Sequence, residues 1–178
     1  MSNLMDYLDW RGDLTFREAP FNEVDNLILA QLVYVEFAGI VPAPGEEGTI
    51  TVKEACELFF AAHDRKEIME RVSMTKTAAF VLEKMAQTER FCNAQLFGYI
   101  NDISKEFSVV CVRLDDKSIY VSFSGTDNTI VGWRENFNMG YLSETPGQLK
   151  AVDYLNHIVK EDWKKIRVGG HSKGGNLS

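Results

Sequence analysis

Histidine, cysteine and proline are all sparse in this chain. Three histidines, three cysteines and four prolines are spread over 178 residues. Cys56, Cys92 and Cys111 are odd in number and form no Cys-x-x-Cys pair. That excludes a disulfide framework and a thiolate metal finger, and leaves structural thiols as the expectation. His63-Asp64 is the only histidine beside an acid, too little for a metal site, so neither metal nor organic cofactor is expected. Positive charge is also short: 19 basic residues face 26 acidic ones, for a net charge of −7. An acidic chain has no broad electrostatic attraction to nucleic acid, and that class of partner is set aside. No run approaches the roughly 18 apolar residues of a membrane span. Residues 1–13 are polar and acidic, without the apolar core of a signal peptide. A reduced, cytoplasmic protein is expected. What the chain does have is the ordinary balance of a folded domain, 45% hydrophobic and 25% charged, at a length that can bury a core.

The first half reads helical. Asn22 is placed to cap a helix, with Glu23 and Asp25 suited to its first turn. Apolar residues at Val24, Leu27, Ile28, Leu32, Val35 and Ile40 carry helical spacing up to Gly39 and Pro42. Residues 42–48 are loop by composition. Thr51 and Glu54 form a capping-box pattern opening a second helix through Ala62. Further helices are expected over 65–72 and 76–87. Near Phe91 the texture changes. Residues 95–103, 107–114 and 118–123 are short runs rich in Val, Ile, Phe and Tyr, separated by polar turns, and read as sequential antiparallel strands. A helix around Trp133, another over 148–163 and a strand over 165–169 follow. The expected class is α/β: a mainly helical part over 1–92, a possible cap, then a mixed sheet over 93–178, together one incomplete domain.

The strongest motif lies near the C-terminus. Gly170-His171-Ser172-Lys173-Gly174 fits Gly-x-Ser-x-Gly, the nucleophile elbow. A nucleophilic serine must stand at the tip of a sharp strand-to-helix turn, where strand and helix run so close that the positions two before and two after it have no room for side chains. The Lys173 amide would face a developing oxyanion. The bare pattern is weak evidence, since a glycine-rich turn without chemistry has the same letters. Its setting strengthens it: an apolar strand precedes and a helix start follows. Walker A fails, because Gly174 is followed by Gly175 rather than Lys and Ser or Thr.

A second motif, Phe123-Ser124-Gly125-Thr126, ends an upstream strand and is followed by Trp133 and Asn136. By itself it is turn chemistry. Beside an elbow, Thr126 becomes the candidate for the second oxyanion donor. The two motifs together resemble those of class 3 (fungal-type) lipases, which pair a Phe-Arg-Gly-Ser/Thr strand end and a Trp with a Gly-His-Ser-x-Gly elbow. Residues 9–16 with 21–26 also resemble an uncharacterised bacterial lipase-like family. The resemblance implies an α/β-hydrolase fold, with Ser172 as nucleophile and Thr126 as oxyanion residue. Ser124 stands where those lipases have Arg.

A serine hydroxyl needs a base, and none is evident. The usual order along the chain is Ser, then Asp or Glu, then His, yet only six residues follow Ser172 and none of them is of these types. His171 should point away from the nucleophile, His157 lies on a helix, and His63 follows one. The reading is therefore a carboxylic ester hydrolase acting through an acyl-enzyme on a small-molecule or lipid ester. Its acid and base would lie beyond Ser178, with a homo-oligomer or second chain as another way of completing the fold. The rival reading is a non-catalytic scaffold that binds a partner or ligand.

Overall fold

The structure, a computed structural model, describes residues 3–70, 75–102, 107–125, 139–160, 163 and 165–178. Four of its described helices begin where side chains satisfy the free amides of a first turn. Asn3 opens α1 (Leu4–Arg11) with Asp6 answering in a capping box. Asn22 and Asp25 do the same for α2 (Glu23–Leu29). Thr51 and Glu54 open α3 (Val52–Ala62) as the sequence pattern predicts. α4 (Arg65–Glu70) and α5 (Thr75–Ala86) complete the helical part. The helix expected from Asn22 to Gly39 stops early: α2 ends at Leu29, a 3-10 turn covers Leu32–Tyr34, and Val35 is extended. The helical spacing misleads there because Leu32, Val33, Val35 and Phe37 are all buried, whatever the backbone does between them.

The sheet has five strands in the order β1 (Ile50–Thr51), β2 (Gln95–Asp102), β3 (Phe107–Arg113), β4 (Ile119–Phe123) and β5 (Ile166–Gly170). The first four are antiparallel neighbours, while β5 joins β4 in parallel, with Phe123 opposite Gly170. This is the mixed α/β sheet expected, with β5 at one end of the strand order. Among the described residues it pairs with β4 alone. The antiparallel strands fall where the β-rich runs predict them, with Asn101 and Asp102 the last residues of β2. After β4, α6 (Pro146–Ile158) is capped by Thr145 and ends before the predicted Trp163. α7 (Lys173–Leu177) follows β5. The predicted helix around Trp133 lies outside the described residues.

Period-two alternation divides the core between the two faces of the sheet. Val110, Val112 and Tyr120 join the layer built with α1, α2, α3 and α5. Phe107, Val109, Cys111, Ile119, Val121 and Phe123 face the other way and meet Ala151 and Tyr154 of α6 and Leu177 of α7. Among the described residues no helix is long and apolar enough to cross a membrane.

The N-terminal segment is held by one buried ion pair. Arg90 donates from Nε and Nη2 to the two carboxylate oxygens of Asp25, at 2.7 and 2.5 Å. Its Nη1 reaches the carbonyls of Leu14, Thr15 and Ala19. The guanidinium also lies 4.0 Å from the centre of the Phe16 ring. Burying both charges is tolerable because nearly every donor has an acceptor. Asp25 thus caps α2 and anchors Arg90 at once.

Candidate active site

Ser172 stands between β5 and α7 with φ 58° and ψ −121°. Positive φ is costly for a residue with a Cβ, by about 1–3 kcal/mol, and persists only where surrounding structure enforces it. Among the described residues Lys117 alone of the other non-glycine residues shares it. The enforcement comes from both flanks. A Cβ on Gly170 would lie 2.4 Å from the Phe123 carbonyl oxygen, and one on Gly174 would lie 2.2 Å from that same atom. The glycines two before and two after Ser172 are therefore demanded by the end of β4, which both approach. Gly174 and Gly175 donate their amides to the carbonyls of His171 and Ser172, which closes the turn. The result is a serine that is exposed, while Lys173 and Gly174 beside it are buried.

Gly125, just past β4, completes the setting. A Cβ there would meet the His171 carbonyl oxygen at 2.6 Å, the Tyr34 hydroxyl at 2.7 Å and the Ser172 Cβ at 3.3 Å. The Gly125 amide donates to the Tyr34 hydroxyl at 2.8 Å. Burial raises the Tyr34 phenol above the ordinary tyrosine range, against the smaller opposing pull of the Gly125 amide. Behind the turn, a Cβ on Gly169 would lie 2.2 Å from the Tyr120 hydroxyl, which donates to Asn26 Oδ1 at 2.9 Å. The Ser122 hydroxyl, buried on β4 opposite Gly169, has no hydrogen-bond partner among the described residues.

The structure thus brings the end of β4 against Ser172. Thr126, Trp133 and Asn136 lie outside the described residues. None of the three histidines is hydrogen-bonded to Ser172. His63 stacks on Phe59, with its Nδ1 2.9 Å from the Phe59 carbonyl oxygen. His157 is exposed on α6, and His171 is exposed rather than packed against the sheet. Sequence reasoning missed Tyr34 and the role of Gly125. Nothing local marks Tyr34, which reaches the site only through the fold. A groove of about 710 Å³ lined by Glu36, Ile40, Pro42, Glu46, Tyr99 and Asn101 does not include Ser172. Two carboxylates, Glu36 and Glu46, line it.

A family model described as Mbeg1-like matches residues 85–178, the stretch that runs from the end of α5 through the elbow. No curated protein and no solved structure matches the chain. No lipase or hydrolase family matches either, so the resemblance to class 3 lipases and to a lipase-like bacterial family, and with it the assignment to the α/β-hydrolase superfamily, is corrected. The reason is physical. The motifs are short, and their glycines answer to crowding against Phe123. Any strand, turn and helix closing this tightly would need the same residues, whatever its family.

Proposed function

We propose, for a chain that belongs to the Mbeg1-like family, that Ser172 is the nucleophile of a serine hydrolase acting on a carboxylic ester. One observation carries the reading: an exposed serine held at φ 58° on a glycine-walled turn from strand to helix. Strain of this kind is retained where a side chain must be aimed. The matched family segment contains the whole turn.

In this reading the Ser172 Oγ attacks the acyl carbon while a base takes its proton. The carbonyl oxygen becomes anionic, and the amides of Lys173 and Thr126 stabilise it. The carbon–oxygen bond of the ester breaks and the alcohol leaves with a proton. Water then attacks the acyl-serine, releasing the acid and restoring the hydroxyl. The reading requires a base within reach of the Ser172 Oγ, and none of the chain's three histidines is hydrogen-bonded to it.

Among the described residues no base contacts Ser172, which favours a second reading, a scaffold that keeps the turn and binds a partner or ligand without turnover. Intact mass after fluorophosphonate treatment separates the two. The full-length protein should gain one adduct that a Ser172→Ala variant does not. An unmodified wild-type protein would sink the hydrolase reading and leave the scaffold.

A further inference from the structure

We infer that the Tyr34 hydroxyl donates a hydrogen bond to the anionic oxygen formed when Ser172 attacks its substrate. The inference rests on the hydrolase reading above. The position of a Cβ on Gly125 is 2.7 Å from the Tyr34 hydroxyl oxygen and 3.3 Å from the Ser172 Cβ. The two atoms are therefore within about 6 Å of each other, the sum of those distances. An oxyanion lies three bonds beyond the serine Cβ, and a donor must come within about 3 Å of it. A hydroxyl at this range can meet that requirement.

The hydrogen-bond inventory points the same way. A phenol oxygen can accept, and it has one proton to give. At Tyr34 the accepting role is filled by the Gly125 amide. The proton has no acceptor among the described residues, and it sits beside a serine that is open to solvent. Because the Gly125 amide is spent on Tyr34, it is not available to an oxyanion. The phenol can relay its polarity instead, since accepting from the amide leaves its O–H free to donate. Burial keeps that phenol protonated across the neutral range. Tyr34 is carried by the 3-10 turn Leu32–Tyr34, whose Leu32 and Val33 are buried in the first core layer, so its position is fixed by packing.

The test uses the full-length protein with p-nitrophenyl butyrate, reading kcat and KM separately. Tyr34→Phe should lower kcat by about 10²–10³-fold, as loss of one oxyanion donor does elsewhere, with little change in KM. Because that variant also leaves the Gly125 amide without its acceptor, 3,5-difluorotyrosine at position 34 provides the second arm. Its phenol ionises at lower pH. A phenolate accepts from Gly125 better than a phenol but has no proton to donate. Activity should therefore fall with rising pH in step with ionisation of the substituted phenol, followed by its ultraviolet absorbance, over a range where the tyrosine protein is flat. Activity that holds or rises through that ionisation would assign Tyr34 to loop positioning and overturn the inference. So would a Tyr34→Phe variant within twofold of wild type. A wild-type protein with no Ser172-dependent turnover would overturn the hydrolase reading itself, an outcome distinct from either of these.

Discussion

At the scale of single residues, the turn around Ser172 holds backbone strain. Its backbone conformation suits glycine, yet the residue is serine. Replacing it with glycine should relieve the strain, which outweighs the entropy a glycine adds to the unfolded chain, for a net gain of about 1 kcal/mol. At this chain length that is about 2–4 °C in Tm. Ser172→Ala removes the same hydroxyl but keeps the Cβ, so it should show no such gain. Calorimetry on the two variants tests the strain directly: equal Tm values would mean the turn is relaxed. The flanking glycines behave oppositely. Gly174→Ala would put a methyl group 2.2 Å from the Phe123 carbonyl oxygen. The backbone must then shift, at a cost of about 1–3 kcal/mol, and the turn loses its fit to β4.

At the scale of elements, the segment before β2 depends on Arg90. Arg90→Met leaves the Asp25 carboxylate buried without its partner and frees three carbonyls, so we expect a loss of about 3–5 kcal/mol by urea denaturation. A loss below about 1 kcal/mol would mean that water reaches Asp25. The α3 cap has its own pH signature. Hydrogen bonds from the Thr51 side chain and backbone hold the Glu54 carboxyl below its ordinary value of 4.5. A carboxyl depressed in the folded state stabilises fully above its unfolded value and loses that contribution as pH falls through the folded one. The Tm gap between wild type and Thr51→Ala should therefore narrow as pH drops below 4.5, and a constant gap would count against the capping box. Legibility in the sequence follows the same physics. The α3 cap and the strands 95–123 could be read because their signals are local: a hydroxyl three residues before a carboxylate, and β-branched runs between polar turns. α2 was read too long because burial through tertiary packing imitates helical spacing. The tight turn at Ser172 could be read because glycine spacing encodes crowding. Tyr34 could not, since only the fold brings the 3-10 turn to Gly125.

At the scale of the whole molecule, one sheet serves two layers. β3 and β4 send alternate side chains to opposite cores, so neither set of helices can come away without exposing the strand side chains on its own face of the shared sheet. Each layer contains a buried thiol. Cys56 belongs to the helical layer, and burial pushes its thiol up to about 11. Cys111 faces α6, where its Sγ lies 3.2 Å from the Tyr154 hydroxyl and burial pushes it up to about 12. Neither should react with iodoacetamide at neutral pH while the protein is folded, because the thiolate is the nucleophile and both thiols are held neutral and covered. In a Cys92→Ser background, alkylation of the two thiols across a urea series reports each layer separately. Sharing of the sheet predicts one midpoint for both. Cys111 becoming reactive at lower urea would mean that α6 lifts away first and that the face carrying α6 and α7 opens independently of the helical layer. That arrangement would leave the Ser172 turn, which leans on the end of β4 and continues into α7, on the less stable half of the molecule.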